Sequence, residues 1–133
     1  MTDDEARPRL LLVEDDPRIA SFLVKGLGAK GFDTEWVETG VEALARASSR
    51  SIDVVVLDLG LPDIDGLDVL AAWRNEGLTL PVVVLTARSD PRDRARAFDL
   101  GISSYLMKPA PFADLLTALQ SAIGTSPTGR VER

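Results

Sequence analysis

Apolar residues fall along this chain in two rhythms. Continuous runs, LLLV at 10–13, DVVVL at 53–57 and PVVVLT at 81–86, are bounded by charge or turn formers and predict buried strands. FDTEWVE at 32–38 alternates and predicts a strand with one apolar face, and SSYLM at 103–107 predicts a short fifth strand. The intervening segments follow helical spacing. Asp16-Pro17 supplies an N-cap with proline at the first helical position; Ile19, Phe22, Leu23 and Leu27 recur behind it, and Gly31 marks the stop. Thr39 with Glu42 three residues on resembles a capping box, opening a helix with Val41, Ala43, Leu44, Ala45 and Ala47. Leu67, Val69, Leu70 and Trp73 predict a helix over 66–76. Asp90-Pro91 opens another that ends near Gly101, and FADLLTALQSAI at 112–123 is the last.

Strands thus alternate with helices five times, and several strands are apolar throughout rather than on one face. That pattern predicts an α/β fold: a doubly wound, five-stranded parallel sheet with five helices covering both faces. Residues 1–7 and the Pro/Gly-containing tail 125–133 are expected to be disordered, which leaves one domain over 8–124. Ligands of such sheets bind at the carboxyl ends of the strands, near the point where strand order reverses. The residues just past each strand therefore matter most.

Composition narrows the chemistry. The chain has 133 residues and a net charge of −6, which argues against binding nucleic acid through a broad basic surface. It contains no cysteine and no histidine, which removes thiolate metal sites, cysteine nucleophiles, Ser-His-Asp triads and any role as a phosphohistidine donor. A metal here must be bound by oxygen, hence a hard ion such as Mg²⁺. The N-terminus lacks the apolar core of a signal peptide, and no run is long enough to span a bilayer, so a cytoplasmic location is expected.

At the strand ends stand Glu14, Asp15 and Asp16; Asp58 with Gly60 two residues on; Thr86 and Ala87; and Lys108 before Pro109. Each alone has an ordinary reading. Asp16 is a helix cap, Asp63, Asp65 and Asp68 are loop and first-turn residues, Thr86 is a strand-end hydroxyl and Lys108 a surface lysine. Their coincidence at the ends of one sheet carries the weight. Glu14, Asp15 and Asp58 held together repel one another unless a cation joins them. Mg²⁺ with Lys108 suits the spread negative charge of a transferring phosphoryl group, and the available nucleophile is a carboxylate. No GxxxxGK[ST] loop is present, so P-loop nucleotide binding is unsupported.

LLLVEDDP, VVVLDLGLPDIDG, VVVLTAR and GISSYLMKPAP, in this order, resemble the receiver domains of two-component response regulators (the CheY-like superfamily), over residues 8 to 124. The LTARSDPRDRARAFDLG segment is most similar to receivers of the winged-helix OmpR/PhoB subfamily. The resemblance implies Asp58 as phosphoryl acceptor and Asp15 as direct Mg²⁺ ligand. Glu14 would act through a metal-bound water, and the Gly60 backbone carbonyl would complete the shell. Lys108 would pair with Asp58 and later the phosphate. Thr86 would turn its hydroxyl onto a phosphate oxygen, with Tyr105 switching rotamer alongside. Ala87 would leave room for the phosphoryl group, and the Lys108–Pro109 bond would be cis. The phosphodonor would be a sensor histidine kinase or phosphotransfer protein. A downstream effector would read the surface of the fourth helix, fifth strand and fifth helix. Neither nucleic acid nor a membrane is an expected direct partner.

Several positions depart from the family. Ala110 and Pro111 stand between Lys108-Pro109 and Phe112, where the family often has Phe directly after the Lys-Pro pair. Gly60 has no side chain to shield a phosphate, so open access for water is expected, with Arg88 available to compensate. Arg94 and Asp114 keep one charge pair of the subfamily's dimer face. Ser103 and Ser104 replace acids, and Ala118 replaces a base, so a monomeric unphosphorylated form is expected. The short tail favours a stand-alone receiver slightly over a fragment of a DNA-binding regulator. Two other classes compete. An Asp-nucleophile phosphatase of the haloacid-dehalogenase type typically carries a second Asp two residues on, where this chain has Gly60. A degenerate receiver is opposed by the intact set Glu14, Asp15, Asp58, Thr86 and Lys108. The chain is therefore read as no enzyme beyond its own phosphorylation and dephosphorylation.

Overall fold

The computed structural model describes residues 7–49 and 51–124; the expected disordered ends, 1–7 and 125–133, lie outside these apart from Arg7. Five strands are present: β1 (Arg9–Val13), β2 (Asp33–Val37), β3 (Val54–Leu57), β4 (Val82–Thr86) and β5 (Ser104–Met107). They alternate with α1 (Pro17–Ala29), α2 (Gly40–Ser49), α3 (Gly66–Asn75), α4 (Pro91–Asp99) and α5 (Phe112–Gly124). All pairings are parallel and the order is β2-β1-β3-β4-β5. The chain leaves β1 in one direction for β2 and returns past it to β3. The order therefore reverses between β1 and β3, and a crevice opens at their carboxyl ends.

The strand runs are apolar throughout because both faces are covered. Leu11, Val13, Val55 and Leu57 pack with Ala43, Ala47, Leu70 and Trp73, residues of α2 and α3. Leu10, Leu12, Val54 and Val56 point the other way, against Ala20, Leu23 and Leu27 of α1 and Leu115 and Leu119 of α5. Alternation along a strand sends successive side chains to opposite faces, so each strand serves both layers.

Local signals set the helix ends. Asp16, Asp65 and Asp90 cap α1, α3 and α4, each accepting backbone N–H bonds of the first turn. Thr39 Oγ1 accepts from Glu42 N at 3.1 Å, the forward half of a capping box. The Glu42 carboxylate reaches back to Glu38 N at 3.0 Å. The Lys108–Pro109 bond is cis, as expected.

Three packing expectations need correction. β2 is an edge strand and does not have a single apolar face: Phe32 and Trp36 pack on the α1/α5 side, while Val37 packs on the other. Val41 is 61% exposed and Ala45 is exposed, because they sit about half a helical turn from Ala43 and Ala47, which face the sheet. Phe22 is 62% exposed, with an edge-on contact from Phe112 whose ring centroid lies 6.1 Å away.

Candidate functional site

β1 and β3 end side by side, with Val13 opposite Leu57. The next residue on each strand is therefore delivered to the crevice: Glu14 after β1 and Asp58 after β3. Asp58 N donates to the Val13 carbonyl at 3.1 Å, which continues the ladder one residue beyond β3. Glu14 and Asp58 are both buried, at 1% and 7% exposure, whereas Asp15 is exposed. Carboxylate oxygens of Glu14, Asp15 and Asp58 lie within 4.8 Å of one another. Buried like charges at this distance need cationic compensation.

Lys108 supplies part of it. Its Nζ sits 2.8 Å from Glu14 Oε1 and 2.9 Å from Asp58 Oδ2, bridging two acids that are 44 residues apart in sequence. Burial pushes the ammonium pKa down, but hydrogen bonds to Glu14 and Asp58 more than offset this, and the net shift is upward. Burial raises the Glu14 pKa despite the Lys108 bond and the Asp16 N–H at 3.0 Å. Lys108 reaches this point from the end of β5, held by its backbone N–H on the Thr86 carbonyl at 2.9 Å.

The loop after β3 closes the site on another side. Gly60 N donates to Asp58 Oδ1 at 3.0 Å. Gly66 lets α3 start against this loop: a Cβ there would lie 2.5 Å from Leu59 Cα and 2.8 Å from the Asp58 carbonyl. Gly60 is not in the left-handed region, and a Cβ there would meet only Asp58 Oδ1, at 3.8 Å. That position is open to solvent, as the sequence suggested.

Thr86 is 1% exposed, and its hydroxyl accepts from Arg88 N at 3.3 Å. The Tyr105 hydroxyl donates to the Arg88 carbonyl at 2.9 Å. Arg88 is thus the hub of the loop after β4, but its guanidinium does not compensate at Gly60. It is committed to Asp65 at 2.6 Å, to the Leu59 carbonyl at 3.3 Å and to Asp93 at 3.6 Å. No contact with Asp58 occurs among the described residues. The loop around Ala110 and Pro111 is well packed at Phe112, whose ring fits over Gly26; a Cβ at Gly26 would lie 2.9 Å from Cε1. A groove of about 580 Å³ opens beside Lys108 and Ala110, with Ile19, Phe22 and Leu85 in its lining.

Residues 10–120 match the family model "Response regulator receiver domain". The chain belongs to that family. Among curated relatives, the receiver is 41% identical over 115 residues to the transcriptional activator protein IrlR of Burkholderia pseudomallei, covering 86% of this chain and 50% of IrlR. It is 40% identical over 114 residues to the transcriptional regulatory protein KdpE of Mycobacterium tuberculosis, again 86% against 50%. The chain therefore spans about half the length of the curated relatives it matches. Among solved structures, the non-phosphorylated HemR receiver domain of Leptospira biflexa superposes with a TM-score of 0.84 at 34% identity, over 90% of this chain and 97% of that one. The response regulator TrrA of Thermotoga maritima, solved in complex with Mg²⁺-BeF, gives 0.78 at 30% identity, over 86% and 98%.

Linear reading of the receiver named Glu14, Asp15, Asp58, Gly60, Thr86, Tyr105 and Lys108. Glu14 and Asp58 meet Lys108 directly, Asp15 lies within 4.8 Å of both acids, and Thr86 and Tyr105 meet through Arg88. Three connections were missed. Lys108 binds Glu14 as well as Asp58. Asp63 accepts from Gly40 N at 2.8 Å and Val41 N at 3.0 Å, capping α2 from another loop. The Trp36 indole N–H donates to the Glu14 carbonyl at 2.7 Å. No spacing rule signals any of the three, since each joins separate elements.

Proposed function

We propose that this receiver is a phosphorylation-controlled switch in which Asp58 accepts the phosphoryl group. The observation that carries the reading is the buried Asp58 carboxylate, paired with Lys108 and within 4.8 Å of Glu14 and Asp15 oxygens. Those donors are all oxygen and suit a hard divalent ion, Mg²⁺. Asp15, Asp58 and the Gly60 carbonyl would hold it directly, with Glu14 acting through water. Once bound, the ion supplies charge neutralisation to the transferring phosphoryl group.

The chain's own residues then divide the work. A carboxylate oxygen of Asp58 attacks phosphorus, the bond to the donor nitrogen breaks, and its electron pair leaves with the donor imidazole. Lys108, 2.9 Å from Asp58 Oδ2, holds the carboxylate in place before transfer and meets the added phosphate charge after it. Thr86 turns its hydroxyl to donate to a phosphate oxygen, giving up the bond it accepts from Arg88 N. Tyr105, bonded to the same residue, changes rotamer with it, and the α4-β5-α5 surface changes its preference for an effector. The donor is a sensor histidine kinase or phosphotransfer protein, because this sequence has no histidine of its own. The domain over 8–124 has no activity beyond its own phosphorylation and dephosphorylation.

A second reading concerns what surrounds the domain. The matched relatives are named as transcriptional regulators and are about twice as long as the matched region, which supports a receiver within a DNA-binding regulator. The same naming supports a cytoplasmic location; separately, no helix among the described residues is long and apolar enough to cross a membrane. In neither case does this domain contact nucleic acid or lipid.

The test is intact-mass spectrometry after incubation with Mg²⁺ and acetyl phosphate, on the wild-type chain and on Asp58→Asn. One phosphoryl adduct, lost in the variant, is the expected result. Repeated turnover of an unrelated phosphate ester would support a phosphatase instead. The absence of both adduct and Mg²⁺ binding would support a degenerate receiver.

A further inference from the structure

Asp15 is unusual among the three clustered acids. Glu14 and Asp58 are buried and paired with Lys108, whereas Asp15 is exposed and its carboxylate has no partner among the described residues. Side-chain contacts therefore do not set its direction; the backbone on either side does. The carbonyl of the Glu14–Asp15 peptide accepts from Trp36 Nε1 at 2.7 Å, at the short end for an N–H···O bond. The N–H of the Asp15–Asp16 peptide donates to Glu14 Oε2 at 3.0 Å. Glu14 N is held by the Val37 carbonyl at 3.1 Å. Both peptide planes flanking Asp15 are pinned, and one of the pins is a side chain from the edge strand β2.

We infer that Trp36 is a positioning residue of the Mg²⁺ site: its indole N–H fixes the peptide that presents Asp15 to the ion. Groups that orient metal ligands from behind contribute strongly to affinity because they remove the cost of arranging the ligand at binding. The indole suits this task, since it carries a single donor, does not titrate and is half-buried against the core cluster that includes α1 residues. The ordinary alternative is that the indole packs against α1 and takes the nearest acceptor. On that alternative, loss of the N–H would lower stability and leave metal affinity unchanged.

The inference rests on the Mg²⁺ reading above, and the experiment separates the two. Mg²⁺ binding is measured by calorimetry on wild type, on Trp36→Phe, and on a chain with benzothienylalanine at 36, which keeps the fused ring and lacks only the N–H. Trp73→Phe, altering the other tryptophan, buried on the opposite side of the sheet, is the control. Both changes at 36 are expected to raise the Mg²⁺ Kd about tenfold, with the control unchanged. The Mg²⁺ concentration for half-maximal phosphorylation by acetyl phosphate should rise with it, while the rate at saturating Mg²⁺ stays near wild type. Unchanged Kd at 36, or a lowered rate at saturation with unchanged half-saturation, overturns the inference alone. A wild-type chain that binds no Mg²⁺ overturns the proposed function and this inference with it.

Discussion

Gly60 is the residue expected to govern how long a phosphorylated form lasts. It sits two residues past Asp58 with an exposed, unstrained backbone, and a Cβ there would meet nothing closer than 3.8 Å. Glycine is therefore not required by the fold at this position. Arg88, the side chain expected to cover the gap, is engaged by Asp65, whose pKa is pulled down on balance: burial raises it, but the Arg88 bond and the Leu67 N–H lower it further. Water should reach a phosphorylated Asp58 freely. Gly60→Met is expected to lengthen the lifetime of the phosphorylated form several-fold without lowering the melting temperature, measured by the decay of the phosphoryl adduct. An unchanged lifetime would place the control of hydrolysis elsewhere.

Among the secondary elements, two contacts at helix ends join separate segments and add to the local caps. Asp63, in the loop after β3, caps the first turn of α2, and the N–H groups of Gly40 and Val41 lower its pKa below the usual 3.8. A carboxyl whose folded pKa is depressed stabilises the fold when ionised, and that contribution is lost as pH falls through the folded value. The melting temperature of wild type should therefore fall with acidification below the usual 3.8 more than that of Asp63→Asn. At the other end of the sheet, Arg74 on α3 donates to the carbonyls of Leu78, Leu80, Leu100 and Gly101, at 2.7 to 3.3 Å. It ties the end of α3 to the turn after α4. Arg74→Ala leaves these carbonyls without that partner and should cost about 2 kcal/mol in denaturant unfolding. Arg74→Lys should recover only part, because one ammonium cannot span the four acceptors.

For the molecule as a whole, the open question is association. The α4-β5 surface carries Phe98 and Met107, each 41% exposed, and a dimer there would draw on charge pairs such as Arg94 with Asp114 of a second copy. Arg94 instead stacks on its own chain, 5.1 Å from the Phe98 ring centroid and 5.8 Å from that of Tyr105. Exposed pairs are individually weak, Ser103 and Ser104 supply none, and Ala118, expected on that face, is instead buried in the core. The unphosphorylated domain should therefore run as a monomer in light scattering at micromolar concentration. A tight dimer under those conditions would contradict the argument.

The apolar runs determined the strands, because a segment such as VVVL is stable only when buried on both faces, and that requires helices on each side of a parallel sheet. The caps Asp16 and Asp90 marked where two helices begin, since each acts within its own turn; that Asp65 caps a third emerged only from the structure. The strand-end acids and Lys108 were legible for the same reason: a parallel sheet delivers the end of every strand to one edge. Sequence did not determine which faces of β2 and α2 are covered, nor that Lys108 binds Glu14, that Asp63 caps α2, that Arg88 is held by Asp65, or that Trp36 grips the Glu14 carbonyl. Each of these joins elements 20 or more residues apart, where the partner is selected by strand order and helix packing rather than by spacing along the chain. Local propensity acts over a few residues; only the closed fold decides which distant groups share a crevice.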